Sequence, residues 1–166
     1  DDRLTIEAPV RVFVDQDDVL TAYKAGELER DVIIVVRFQG PRANGMPELH
    51  KLMPLLANLQ QAGQRVALVT DGRLSGASGQ VPAALHLTPE AALGGPLAYV
   101  QDGDWIGLDA GAGVLHLEPA SGDCSTRQPA KMTSQIAAGY GLHLFAQQRR
   151  LVGPADQGAT TLEWED

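Results

Sequence analysis

Residues 31–38 read Asp-Val-Ile-Ile-Val-Val-Arg-Phe, and five successive apolar side chains leave such a strand without a polar face. It must be covered on both sides, as strands of a largely parallel sheet are. A second apolar run, residues 65–70, follows a stripe of Leu49, Leu52, Leu55, Leu56 and Leu59 at helical spacing, which starts at Glu48 and stops at Gly63. Strand, helix and strand in that order imply a parallel pair joined by a right-handed crossover. The stretch between the first strand and the helix, residues 39–47, reads as a loop.

Other elements fall around this unit. Residues 9–14 alternate and read as a strand. Asp15-Gln16-Asp17-Asp18 precedes a short amphipathic helix, residues 19–25, ended by Gly26; the acids suit capping and the helix dipole, with a metal cluster as the sharper alternative. Residues 81–87 look like a short strand, and Thr88-Pro89 like a helix start with Thr as cap and Pro in the first position. From Gly94 the pattern becomes a meander of apolar pieces at 97–100, 105–108 and 114–117, separated by Asp102-Gly103-Asp104 and Gly111-Ala112-Gly113. Residues 121–129 read as an exposed loop, 133–149 as a last helix and 153–166 as a loosely held tail, leaving residues 1–152 as one domain. Trp105 is expected in the core, and His86 as a core or strand-end histidine.

With 166 residues, 44% of them hydrophobic, the chain can bury one core. A net charge of −8 argues against general nucleic-acid binding, which needs a basic face. No apolar run is long enough to span a membrane, and residues 1–5 lack the features of a signal peptide, so a cytoplasmic location is expected. Cys124 is the single cysteine, too few for a disulfide, a cysteine zinc site or a cluster within this chain.

The site-like stretch is Asp71-Gly72-Arg73-Leu74-Ser75-Gly76-Ala77-Ser78-Gly79, at the carboxyl end of the second strand. Small and hydroxyl residues there let a ligand approach the backbone. It matches neither a nucleophile elbow nor a phosphate loop, and Gly111-Ala112-Gly113 lacks the third glycine of a dinucleotide fingerprint. A second candidate is residues 37–51, where Arg37, Arg42 and Lys51 face only Glu48, with His50 nearby. These cations read equally as solvated surface charges or as a site for carboxylate or phosphate. Glu48, beside Pro47, reads as a helix-start acid or as a metal ligand.

Two long stretches carry a resemblance: Arg37-Phe38-Gln39-Gly40-Pro41-Arg42-Ala43-Asn44-Gly45-Met46-Pro47-Glu48-Leu49-His50-Lys51-Leu52, and Val69-Thr70-Asp71 continuing through Gly79. With Val81-Pro82-Ala83-Ala84, Pro89-Glu90-Ala91, Gly94-Gly95-Pro96 and Asp102-Gly103-Asp104, they resemble the dihydroxy-acid and sugar-acid dehydratase family. The likeness is to the C-terminal domain of its Entner–Doudoroff branch, which acts on 6-phosphogluconate. The resemblance implies an α/β, swivelling β/β/α domain with a mixed or barrel-like sheet flanked by helices. It implies a hydro-lyase that converts 6-phosphogluconate to 2-keto-3-deoxy-6-phosphogluconate. Ser75 maps to the proposed base at C2 and Glu48 to a magnesium ligand or its close neighbour; on that reading Arg37, Arg42, Lys51, Asp71, Gly72, Arg73, Gly76 and Ser78 are expected to contact the substrate. An iron–sulfur cluster would act on the departing 3-hydroxyl. Gln80 stands where that branch usually carries Lys.

A serine hydroxyl needs help to act as a base. Each unit of pKa depression takes about 1.36 kcal/mol, and a helix N-terminus supplies only about 0.3–1 kcal/mol. A metal can lower bound water from about 15.7 to about 7. Nearby cations are therefore required, and this chain cannot hold a cluster. The resemblance thus implies a preceding iron–sulfur domain as partner, a homodimeric whole enzyme, and an isolated chain without activity. The alternatives are a dehydratase of another sugar acid or branched-chain dihydroxy acid, or a non-catalytic anion-binding or interaction module.

Overall fold

In a computed structural model, described for residues 4–75, 79–132 and 143–162, the chain builds one mixed six-stranded sheet in the order β4-β3-β2-β1-β5-β6. The strands are β1 (Thr5–Phe13), β2 (Val32–Val36), β3 (Val66–Thr70), β4 (Ala83–Ala84), β5 (Trp105–Asp109) and β6 (Val114–Glu118). The first four are parallel, with Val12 opposite Val35 and Val35 opposite Val69, whereas β5 pairs antiparallel with β1 and β6 antiparallel with β5. The α/β class is thus observed.

Every residue of β2 and β3 is buried, as an uninterrupted apolar run demands. On one face, Val32, Ile34, Val36, Val66 and Leu68 pack against helices α1 (Gln16–Lys24) and α3 (Leu52–Gln61) through Val19, Leu52, Leu55, Leu56 and Leu59. The other face packs Ile33, Val35, Ala67 and Val69 against Leu97, Ala98, Ile106 and Leu108. Asp15 caps α1, its carboxylate accepting from the Asp17 N–H at 2.7 Å, so the capping reading of the acidic trio holds for Asp15.

Several expected elements are corrected. Residues 39–47 contain a short helix, α2 (Pro41–Asn44), because Pro41 presets its first turn and the buried Glu90 carboxylate accepts from the Arg42 and Ala43 N–H groups at 2.8 and 3.0 Å. The leucine helix begins at Leu52, not Glu48: Glu48 forms a parallel bridge with Arg73, and the Leu49 N–H donates to the Arg73 carbonyl at 3.3 Å. The strand expected at 81–87 shrinks to Ala83–Ala84, bounded by Pro82, which has no N–H, and by a chain that turns at His86 with φ 57°.

Thr88-Pro89 does not start a helix; a 3₁₀ turn at Ala91–Leu93 follows Glu90 instead. Residues 97–100 form no strand, since Pro96 opens a 3₁₀ turn at Pro96–Ala98, and the meander has two strands. Trp105 is 49% exposed rather than core, on the face of β5 that also carries Gly107, and His86 is exposed. Of the last predicted helix, residues 133–142 lie outside the described residues; a helix α4 (Ala146–Leu151) is present beyond them. The tail carries a 3₁₀ turn at Ala155–Gln157, closed by the Gly153 N–H on the Thr160 carbonyl at 2.9 Å. No helix among the described residues is long and apolar enough to cross a membrane.

Candidate functional site

The carboxyl ends of β2 and β3 lie side by side, and there Asp71 and Ser75 of one signature stretch meet Phe38, Gln39 and Glu48 of the other. In an open α/β sheet this is where ligands bind. Asp71 organises the edge. Its carboxylate accepts from the Gln39 N–H at 2.9 Å, the Phe38 N–H at 3.2 Å and the Ala91 N–H at 2.9 Å, and the residue is 0% exposed. Burial pushes its carboxyl up from the ordinary value, against the three N–H groups that favour the charge. Asp71, expected among the substrate contacts, is therefore a buried positioning residue. Phe38 is held at φ 63°, a left-handed conformation rare for an aromatic residue.

Gly72 follows because nothing larger fits: a Cβ there would meet the Gln39 Cβ at 2.6 Å and the Gln39 carbonyl oxygen at 3.2 Å. Leu74 is buried in the helix-side core, which turns Arg73 and Ser75 to solvent. Ser75 then meets Glu48. Its N–H donates to Glu48 Oε1 at 2.7 Å, while Arg73 Nη1 lies 3.5 Å from Glu48 Oε2. Partial burial pushes the Glu48 carboxyl up, but the Ser75 N–H and hydroxyl, with the charges of Arg73 and His50, outweigh it and leave the group below its ordinary value. Glu48 is thus held as a carboxylate beside Ser75.

The cations of residues 37–51 do not converge. Arg37 Nη1 is directed at the Leu97, Ala98 and Val100 carbonyls, at 3.3, 3.5 and 3.0 Å. Arg42 Nη2 donates to the Arg150 carbonyl at 2.6 Å, and Lys51 Nζ pairs with Asp17 at 2.7 Å. The three cations of this stretch are thus turned to separate partners. Gly76 and Ser78 lie outside the described residues.

Three residues at this edge were not singled out from the sequence. Gln39 bridges the Val14 carbonyl at 2.6 Å and the Asn44 amide at 3.2 Å; Glu90 caps α2; and Gln16 Nε2 donates to the Glu48 carbonyl at 3.3 Å. Gln39 and Glu90 carried a signal, as parts of the Arg37 to Leu52 and Pro89-Glu90-Ala91 stretches; Gln16 carried none.

Fit to metal groups differs between the two implied. Glu48 Oε2 is a buried carboxylate oxygen with no hydrogen-bond partner, and a hard oxygen of that kind suits magnesium. It is one ligand; among the described residues no group of three or more His, Cys, Asp and Glu could hold a metal ion. An iron–sulfur cluster does not fit this chain. Its one thiol, Cys124, lies in the loop after β6, and clusters take several thiolates.

The chain is an α/β domain that sets a serine against a deprotonated glutamate at the carboxyl edge of its parallel strands. It belongs to the dihydroxy-acid/6-phosphogluconate dehydratase C-terminal family, whose model matches residues 1–159. The protein named phosphogluconate dehydratase of Pseudomonas aeruginosa is 54% identical over 156 residues, 93% of this chain and 25% of the relative. Its namesake in Escherichia coli K12 is 51% identical over 158 residues, 95% of this chain and 26% of the relative. A protein named dihydroxy-acid dehydratase of Pyrobaculum aerophilum is 38% identical over 161 residues, 96% of this chain and 28% of the relative. The chain spans about a quarter of the length of these relatives.

Proposed function

We propose that this chain is the C-terminal domain of a hydro-lyase that dehydrates 6-phosphogluconate to 2-keto-3-deoxy-6-phosphogluconate, with Ser75 as the base at C2 and Glu48 as a magnesium ligand. The observation that carries it is the 2.7 Å hydrogen bond between the Ser75 N–H and Glu48, which joins the two signature stretches at one edge. Identity favours the substrate: the phosphogluconate dehydratases of P. aeruginosa and E. coli match at 54% and 51%, the dihydroxy-acid dehydratase of P. aerophilum at 38%.

Each residue has a definable part. Glu48 stays ionised and keeps Oε2 free of hydrogen bonds, the state a cation ligand needs. Magnesium bound there supplies positive charge that lowers the pKa of the Ser75 hydroxyl. Ser75 is exposed at the end of a buried Leu74 anchor, so its oxygen can take the C2 proton while its N–H keeps Glu48 in place. Arg42 and Lys51 keep exposed surface that an anionic substrate could meet. The iron–sulfur cluster and the remaining magnesium ligands belong to an N-terminal domain of the same polypeptide, the whole enzyme being a cytoplasmic homodimer. The isolated chain is then inactive.

A substrate panel on the complete, anaerobically prepared enzyme tests this reading. It predicts turnover of 6-phosphogluconate well above gluconate and branched-chain dihydroxy acids, and none by the 166-residue chain alone. Equal turnover of phosphorylated and unphosphorylated acids would remove the phosphate assignment. A chain that binds anions with no dehydration in the complete protein would support the interaction module instead.

A further inference from the structure

Arg73 touches the turn that carries Glu48 in two ways. Its backbone forms the parallel bridge with Glu48 and accepts from the Leu49 N–H at 3.3 Å, contacts any residue could make. Its side chain does something specific to arginine: Nε donates to the Met46 carbonyl at 2.8 Å, while Nη1 reaches to 3.5 Å from Glu48 Oε2. A planar guanidinium can make these two approaches from one rigid fork, which an ammonium cannot. The turn needs such a hold. Gly45 and Met46 are both left-handed, at φ 71° and 53°, and Met46 has a Cβ that disfavours this conformation unless its surroundings fix it.

The electrostatics point the same way. The nearest charged partner of the guanidinium is a carboxylate, so an anionic substrate approaching Arg73 would also meet the charge of Glu48. Glu48 Oε2 lies within reach of Arg73 yet accepts no hydrogen bond, so the contact steers the oxygen without occupying it.

We propose that Arg73 is a positioning residue: it fixes the left-handed turn at Met46 and holds Glu48 Oε2 in place, free of hydrogen bonds, for a divalent cation, rather than binding substrate anion. This rests on the reading of Glu48 as a magnesium ligand. Partners that orient a ligating carboxylate typically change metal affinity or activity by about 10–100-fold when replaced.

The test uses Mn²⁺ as the probe, titrated into the complete enzyme and followed by the electron-spin resonance of the free ion, for wild type, Arg73→Lys, Arg73→Gln and Glu48→Gln. Both Arg73 variants should weaken Mn²⁺ binding by about tenfold or more. KM for 6-phosphogluconate at saturating metal should stay within about twofold, and raised Mg²⁺ should restore kcat in Arg73→Lys. Unchanged Mn²⁺ affinity with a raised KM would make Arg73 a substrate contact and overturn the proposal. Loss of fold in both variants, read by circular dichroism, would also overturn it, because the proposed role is confined to one turn. Glu48→Gln separates the layers: if it leaves Mn²⁺ binding intact, the ligand reading itself falls. If it abolishes binding while the Arg73 variants do not, only the role of Arg73 falls.

Discussion

Asp71 shows how much one side chain can organise. It has no exposed surface, yet it ties the Phe38-Gln39 turn and Ala91 to the end of β3, across separations of 33, 32 and 20 positions. Asp71→Asn would turn an amide donor toward at least one of three N–H donors, leaving a buried group unsatisfied. The expected loss is about 1–3 kcal/mol of unfolding free energy, measured by urea denaturation of the chain. A change near zero would mean the carboxylate is not what holds this edge. The sequence marked the Asp71 to Gly79 stretch as a site but placed Asp71 among the substrate contacts. The direction of a carboxylate is set by partners distant in the chain, and no local spacing encodes them.

At the scale of elements, the long apolar runs and the leucine stripe were legible because burial on both faces or along one stripe dictates their composition. Short pieces were not. The 97–100 run turned at Pro96, the 81–87 run lost its ladder at Pro82, and Glu48 left the helix for a bridge to Arg73. Also hidden was the buried pair that closes the β5–β6 hairpin region. Arg127 holds Asp104 through Nη1 at 2.5 Å and Nη2 at 2.9 Å, and Asp104 also accepts from the Gln101 and Ala120 N–H groups.

Burial pushes the Asp104 carboxyl up, but Arg127 and the two N–H groups prevail and leave it below its ordinary value. A group with a depressed folded pKa stabilises fully above its unfolded value, about 3.9 for Asp, and loses that contribution as pH falls through the folded value. Arg127→Ala should therefore lower the thermal midpoint at pH 7, and the gap from wild type should close as pH drops below about 4. A gap independent of pH would mean that packing of the Arg127 stem, not its pairing, is what was lost.

For the whole molecule, the family is established over residues 1–159, and the chain covers about a quarter of its relatives' length. Within that quarter lie a serine and an ionised glutamate whose Oε2 accepts no hydrogen bond, but no complete metal site among the described residues. Arg37, Arg42 and Lys51 are turned to separate partners and do not gather into one anion site. The sequence made the two halves of this edge visible as separate stretches. Their meeting, 27 positions apart, was a matter of tertiary structure.

Whether Ser75 takes the proton is decided by the turnover of 6-phosphogluconate by the complete enzyme carrying Ser75→Ala. General-base catalysis is typically worth about 10²–10⁴-fold. kcat should fall by at least about 10²-fold, with fold, metal content and substrate binding retained. Turnover within about tenfold of wild type, below that range, would contradict it and place the base elsewhere.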